Sequence, residues 1–330
     1  MPNFDVMVVG ELNLDLILYG LPDELPPERE LLADGLVLTL GSSSAIFAHN
    51  LSRLGRRVGF MSRIGDDPLG QIALDRLAAG GVDVSRVQRV SGWPSTGLTV
   101  ILPRANFRNI LTYPGTMNTM CFEDLDVDYL TSARHFHMSS YFLHRGLHAH
   151  MVDLFKKLKT SGMSISLDTN DDPSGQWDDN LIAVLRYVDV FLPNAHEAMK
   201  ITRCDDLTTA VAQLAQWVPV VAVKLGDEGA LVRCGKEEFR NPAVEIEVVD
   251  SVGAGDSFDA GFIHQYVGGG TLATSLAFGN LMGAFSTTRP GGTEAFRDQK
   301  GLDDFLTRHW TLRAEKNRET AGATEGANHD

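Results

Sequence analysis

The sequence predicts an α/β protein with a mostly parallel central sheet, helices on both faces and a small β-sheet lid. Three observations predict it. Short β-branched apolar runs recur: "VMVVG" (Val6–Gly10), "VGFMSRIG", "SISLD", "VDVFLPN" and "VVAVKLG". Longer helix-like segments such as "PLGQIALDRLAAGG" and "GLHAHMVDLFKKLKTSG" lie between them. Strands of this length alternating with helices indicate βαβ units and a parallel sheet. Two stretches break that rhythm.

Taken in order, "VMVVG" is the first strand, and "LDLILYG" and "DGLVLTLG" separate it from its first helix, Ser44–Leu54. "VGFMSRIG" and the helix "PLGQIALDRLAAGG" resume the alternation. "STGLTVILPRANFRNILTYPG" then supplies two more strands, with "RANFRN" as their turn. These four read as antiparallel strands grafted onto the βαβ body, an excursion able to form a lid. The expected core is 1–12, 41–95 and 114–312, and the lid is 13–40 and 96–113. The tail, "AEKNRETAGATEGANHD", lacks large apolar residues, so 313–330 is expected to be disordered.

Apolar residues make up 43% of 330, enough core for one large α/β domain with an insert. The formal charge is −14, and no Lys/Arg run exceeds the pairs Arg56–Arg57 and Lys156–Lys157, which argues against nucleic-acid and anionic-membrane partners. Cys121, Cys204 and Cys234 suggest neither a disulfide framework nor a metal-spaced pair, so a cytoplasmic home is expected. The start, "MPNFDVMVVGELNLD", does not read as a signal peptide, and no apolar run reaches the length of a membrane span.

The chemistry concentrates in "VDSVGAGDSFDAGF" (Val249–Phe262). Gly253, Ala254 and Gly255 add no bulk, so their backbone N–H groups can approach a phosphate closely. Asp256 follows at the start of an amphipathic run, where unpaired amides and the helix dipole attract anions. A carboxylate there can take a proton from an attacking hydroxyl while the amides hold the developing charge. On these residues alone, an N-capping aspartate after a flexible loop is the other reading.

"DSVGAGDSFDAGF" resembles the C-terminal signature of the ribokinase-like (PfkB) kinases, D-T-x-G-A-G-D-x-F-x-A-G-F. "IGDDPLGQIALDRLAAGGVDVSRV" is similar to their N-terminal signature, and "GELNLDL", "PNAHEA" and "VKLGDEGALV" follow the family's order over nearly the whole chain. The resemblance implies a three-layer α/β/α sandwich and an ATP-dependent kinase acting on an alcohol of a sugar or sugar-like molecule. It makes Asp256 the catalytic base and Gly253–Gly255 the anion hole. Asn13 and Asp15 become sugar ligands, joined by Gly41 from "LGSSSAIFAHNLSRLG". That segment departs from the family where Ile46 replaces a sugar-binding Asn and Ser42 a Gly. Asn50, one helical turn on, shares Ile46's face and is the candidate substitute.

Asn194 and Glu197 have the spacing of a capping box. The resemblance adds that the pair organises the nucleotide phosphates and hydrated Mg²⁺, with Glu197 acting through water. "KLGDEG" reads as a hairpin turn, and by resemblance Lys224, Gly226 and Gly229 contact nucleotide, with Asn280 beside the adenine. "TTRPGG" reads as a helix end and turn; in relatives this loop and the residue matching Asp250 surround a monovalent cation, K⁺. Five histidines fall in sixteen residues (His135, His137, His144, His148, His150), without the H-E-x-x-H of a zinc site. His144 and Arg145 are the candidates for substrate contact at the rim. A nucleoside kinase and a non-catalytic sugar-binding protein are the alternative functions, ADP is the alternative donor, and a homodimer through the lid is the expected assembly.

Overall fold

The computed structural model describes residues 3–104, 107–178 and 180–311. The chain runs through β1 (Phe4–Val9), β2 (Leu14–Tyr19), β3 (Gly35–Leu40), α1 (Ser43–Arg53), β4 (Val58–Gly65), α2 (Pro68–Ala79) and β5 (Asp83–Val90). β6 (Leu98–Pro103) and β7 (Arg108–Tyr113) follow, then α3 (Val127–Leu130), β8 (Ala133–Met138), α4 (Met151–Thr160), β9 (Ser164–Leu167) and α5 (Asn180–Leu185). Next come β10 (Val190–Phe191), α6 (Ala195–Thr202), α7 (Leu207–Leu214), β11 (Val220–Lys224), β12 (Ala230–Cys234) and β13 (Glu237–Asn241). The last helices are α8 (Ala254–Val267), α9 (Leu272–Ser286), α10 (Glu294–Arg297) and α11 (Gln299–Leu306).

The large sheet has nine strands in the order β13-β12-β11-β10-β9-β8-β1-β4-β5. It is parallel from β5 to β11, and β12 and β13 add an antiparallel edge. Strands covered on both faces must be apolar on both, which is why β1 and β4 are apolar apart from Asp5, Ser62 and Arg63. Alternation then divides the core. Val6 and Val8 pack with Phe47, Phe60 and Phe262 on the side of α1 and α8, whereas Met7 and Val9 pack with Phe136, Phe155 and Ile165 on the side of α4. A third cluster (Phe278, Phe285, Phe296, Phe305) seals α9 against the last helices.

The lid is a separate four-stranded sheet, β3-β2-β6-β7, and its strands fall within 13–40 and 96–113. One expectation about it is corrected. β2 and β6 pair in parallel, from Leu14 opposite Leu98 to Ile17 opposite Ile101; only β2–β3 and β6–β7 are antiparallel. The chain re-enters the lid after β4, α2 and β5, and a long crossover of that kind permits parallel pairing where a hairpin does not. Of the expected "RANFRN" turn, Ala105 and Asn106 lie outside the described residues, as does the tail expected to be disordered. No helix among the described residues is long and apolar enough to cross a membrane.

Candidate active site

The C-terminal ends of the parallel strands and the N-terminus of α8 converge below the lid, the place where open α/β sheets bind ligands. Gly253 adopts φ 72, a left-handed conformation that glycine takes without penalty, and turns the chain into α8. Asp256 sits in the first turn and is 9% exposed. Burial is the main cause that pushes its pKa up to about 7; the Asp168 carboxylate adds to this, while Lys224 and a hydrogen bond with Ser43 oppose it.

Across from Asp256 is Asp15, also buried, whose pKa is pushed to about 7 by burial and then by the Asp256 and Asp250 carboxylates. Gly41 explains how Asp15 is held. A side chain there would lie 2.2 Å from Asp15 Oδ1 and 2.7 Å from Asn13 Oδ1, so only glycine fits against the pair. Asn13 donates from Nδ2 to Thr99 Oγ1 at 3.3 Å and accepts from Ser42 Oγ at 2.7 Å. Ser42 pays for that bond with φ 69, a backbone strain of the sort that collects at functional sites.

On the other side of α8, Lys224 Nζ lies 2.7 Å from Asp168 and 3.2 Å from Asp259, both buried. Burial alone would lower the lysine pKa; the Asp168, Asp259 and Glu197 charges outweigh it and raise it. A methyl group added at Gly255 would sit 3.6 Å from Nζ, which places the ammonium beside the glycine loop. Lys224, Gly226, Gly229, Gly255 and Asn280 all line one cavity of about 740 Å³. Asn280 donates to the backbone carbonyls of Asn241 (2.8 Å) and Pro242 (3.3 Å).

Asn194 and Glu197 form the capping box reciprocally: each backbone N–H donates to the other side chain at 2.9 Å. Asn194 Nδ2 also donates to Glu197 Oε1 at 2.6 Å. Burial and the Asp168 charge raise the Glu197 pKa. Both Glu197 oxygens are thus engaged, and among the described residues no group of three or more His, Cys, Asp or Glu is placed to hold a metal unaided. The donor set suits an ion that keeps its waters, as Mg²⁺ does.

A family model for pfkB family carbohydrate kinases matches residues 3–299. The chain belongs to that family. An uncharacterized sugar kinase of Archaeoglobus fulgidus is 30% identical, over 74% of this chain and 96% of its own. A 2-dehydro-3-deoxygluconokinase of Bacillus subtilis is 30% identical over 84% and 89%. Among solved structures, a protein provisionally named Ribokinase II from E. coli, in complex with ATP and Mg²⁺, is 26% identical over 93% of this chain and 100% of its own, with a TM-score of 0.79. As a PfkB kinase the chain is a phosphotransferase acting on an alcohol group, on the ribokinase fold.

Within this PfkB site the structure separates the remaining candidates. Asp250 accepts from Tyr19 Oη and from Gly291 N, both at 2.9 Å, and from Val252 N at 3.0 Å, so it ties the lid to the "TRPGG" loop and to the segment leading into the glycine loop. Asn50, expected at the substrate, is fully buried. Its amide donates to Ser257 Oγ and Gly292 O, both at 2.9 Å, which leaves no hydrogen for a ligand. Its work is to bind α1 to α8. Ile46 is 3% exposed and packs under the anion-hole loop; a side chain at Gly292 would come within 2.7 Å of its Cδ1.

His144 is buried as well, with Nε2 3.1 Å from the Ser139 carbonyl and 3.4 Å from Glu11, while Arg145 is exposed. Two of the other histidines belong to the core. His135 and His137 share Ser166 Oγ at 2.7 Å each, reach Ser164 and Ser139 with their other nitrogens, and remain neutral because burial pulls both pKa values down. Sequence reasoning missed Asp168, Asp259 and Glu11. A carboxylate ending the run "SISLD" and a second Asp one turn after Asp256 were the available signals.

Proposed function

We propose that this chain transfers the γ-phosphoryl group of ATP to a hydroxyl of a sugar or sugar-like molecule, with Asp256 as general base. The observation that carries the reading is the buried Asp256 carboxylate, poised near neutral pH at the end of a glycine loop that also abuts the Lys224 ammonium. Asn13, Asp15 and Gly41 grip the acceptor hydroxyls. Lys224 and the backbone of Gly253, Ala254 and Gly255 receive the phosphoryl charge, while Gly226, Gly229 and Asn280 hold the nucleoside and Asn194 with Glu197 borders its phosphates. Glu197 would hold hydrated Mg²⁺ through water, and the ion would supply charge to neutralise phosphate oxygens. Asp256 takes the hydroxyl proton at its carboxylate oxygen, and positioning and charge stabilisation supply the remainder. ATP and Mg²⁺ gain support from the E. coli neighbour that holds both.

Among acceptors, an acidic sugar is favoured. Arg108 on β7 donates to Ser251 Oγ at 3.3 Å and its charge is felt at Asp15, which puts a lid cation over the acceptor end. The Bacillus subtilis relative is named for an acidic sugar of this kind. Asp250 and the adjoining loop form the seat of a K⁺ ion that steadies the anion hole. β7, exposed along its length, supports a homodimer through the lid, and three free cysteines support a reducing cytoplasm. The deciding experiment measures ADP release from ATP across neutral sugars, sugar acids and nucleosides, with AMP release from ADP as the donor control. Turnover of nucleosides alone, or of ADP alone, overturns the corresponding part of the reading.

A further inference from the structure

A second cavity, of about 240 Å³, lies behind α1 and is lined by His49, Arg53, Asp75, Arg76, Ala79 and Arg297. Three guanidinium groups converge on it in a protein of net charge −14. Arg76 and Arg297 share one carboxylate, Glu294, at 3.1 and 2.8 Å. Asp75 is turned to the Gln71 amide at 2.6 Å. Arg53 is aimed by a bond from Nε to the Phe296 carbonyl at 3.0 Å, and it makes no ion pair among the described residues. His49 adds no charge, since burial lowers its pKa to about 4, with Arg53 and Arg297 contributing. One positive charge is therefore left unmatched in a half-open hollow.

We propose that this pocket binds a small phosphate-bearing dianion, either free phosphate or a phosphomonoester of a small sugar. Planar guanidinium forks match tetrahedral oxyanions, and their charge-assisted bonds are the strong ones. The volume admits a phosphate with a few carbons and lies below the roughly 300–1,000 Å³ of sites enclosing drug-sized ligands. The floor of the pocket leads to the catalytic helix. His49 Nδ1 donates to Asn50 Oδ1 at 2.8 Å, and Asn50 in turn holds Ser257, the neighbour of Asp256, and Gly292. Glu294 also accepts from Thr39 of β3 at 2.8 Å, so an anion competing for Arg76 and Arg297 acts on a contact that reaches the lid.

The test is titration calorimetry with inorganic phosphate and, separately, ribose 5-phosphate, on protein saturated with a non-hydrolysable ATP analogue and Mg²⁺. It requires no turnover and is repeated without nucleotide, so it stands apart from the kinase reading. One binding event is expected, weakened about tenfold or more in Arg297→Gln, a change at a half-exposed residue, and weakened less in Arg297→Lys, which keeps the charge and loses the fork. Equal affinity for the two probes assigns the site to phosphate itself, and tighter ribose 5-phosphate assigns it to a phosphomonoester. No binding by the wild-type protein, or unchanged affinity in both variants, overturns the proposal. If Arg297→Gln fails to melt cooperatively, Arg53→Gln, read in the same way, decides.

Discussion

The glycine-loop side of the site and the lid side are built by opposite means. Around Lys224, charges are buried and paired: two aspartates clamp one ammonium, burial and the neighbouring Asp168 push the Asp259 pKa well up, and the glycine loop rests on Ile46 and Gly292. On the lid, β7 is exposed at every residue, with Ile110 and Leu111 more than half accessible, and Arg108 reaches the site from the surface. The contrast teaches that the Lys224 cluster is part of the folding core, so breaking its ion pairs costs stability. Residues on the exposed lid strand can change at little cost to the fold.

The sharpest break of that contrast is Asp256→Asn. It keeps shape and burial, and kcat is expected to fall by about 10² to 10⁴ while nucleotide affinity holds and the melting temperature does not fall. A folded variant with near wild-type turnover removes Asp256 as the base. Next is Lys224→Met, which strands Asp168 and Asp259; breaking a buried pair costs about 3 to 5 kcal/mol, readable by chemical denaturation. Arg108→Ala, on the lid, is expected to change stability by less than about 0.5 kcal/mol while raising KM for acidic acceptors. If the two variants destabilise equally, the core-versus-lid division is wrong.

A smaller effect follows from pH. With the Asp256 pKa raised to about 7, kcat/KM is expected to rise about tenfold per unit up to pH 7 and then level off. The stability sign is opposite. A carboxyl whose pKa is higher folded than unfolded contributes stability below its unfolded value near 4, and that contribution is lost as pH rises through 7. Asp15→Asn together with Asp256→Asn should therefore flatten the decline in apo-protein stability between pH 4 and 7. An unaltered slope contradicts the burial-raised pKa values.

The smallest effect is at Ile46. Removing one methyl group in Ile46→Val should cost about 0.5 to 1.5 kcal/mol and leave the ratio of kcat/KM between substrates unchanged, because the residue supports the loop. A changed ratio would return it to the acceptor pocket.

What the sequence disclosed follows from range. The strand rhythm, the glycine loop with Asp256 and the Asn194–Glu197 box are local patterns, and each stands where its spacing placed it. The parallel pairing of β2 with β6, the clamp of Asp168 on Lys224 and the position of Arg108 join segments tens of residues apart, and no local spacing encodes them. Ile46 and Asn50 mark the boundary. Helical periodicity correctly put them on one face of α1, but the partner of that face is α8 and the Gly292 loop, which only the assembled fold reveals.

The bond from Tyr19 to Asp250 has a consequence for water. A site that can activate a hydroxyl can also activate H₂O, and then ATP is hydrolysed to no purpose. Because Asp250 is held at once by the lid strand and by the Gly291 amide, the lid's position and the order of the loop before Asp256 are mechanically one variable. A lid drawn down by an acceptor would therefore also tighten the loop before Asp256, and without one idle hydrolysis would stay slow. Tyr19→Phe cuts that latch, and its signature is a raised ratio of ATP hydrolysis without acceptor to phosphorylation with it.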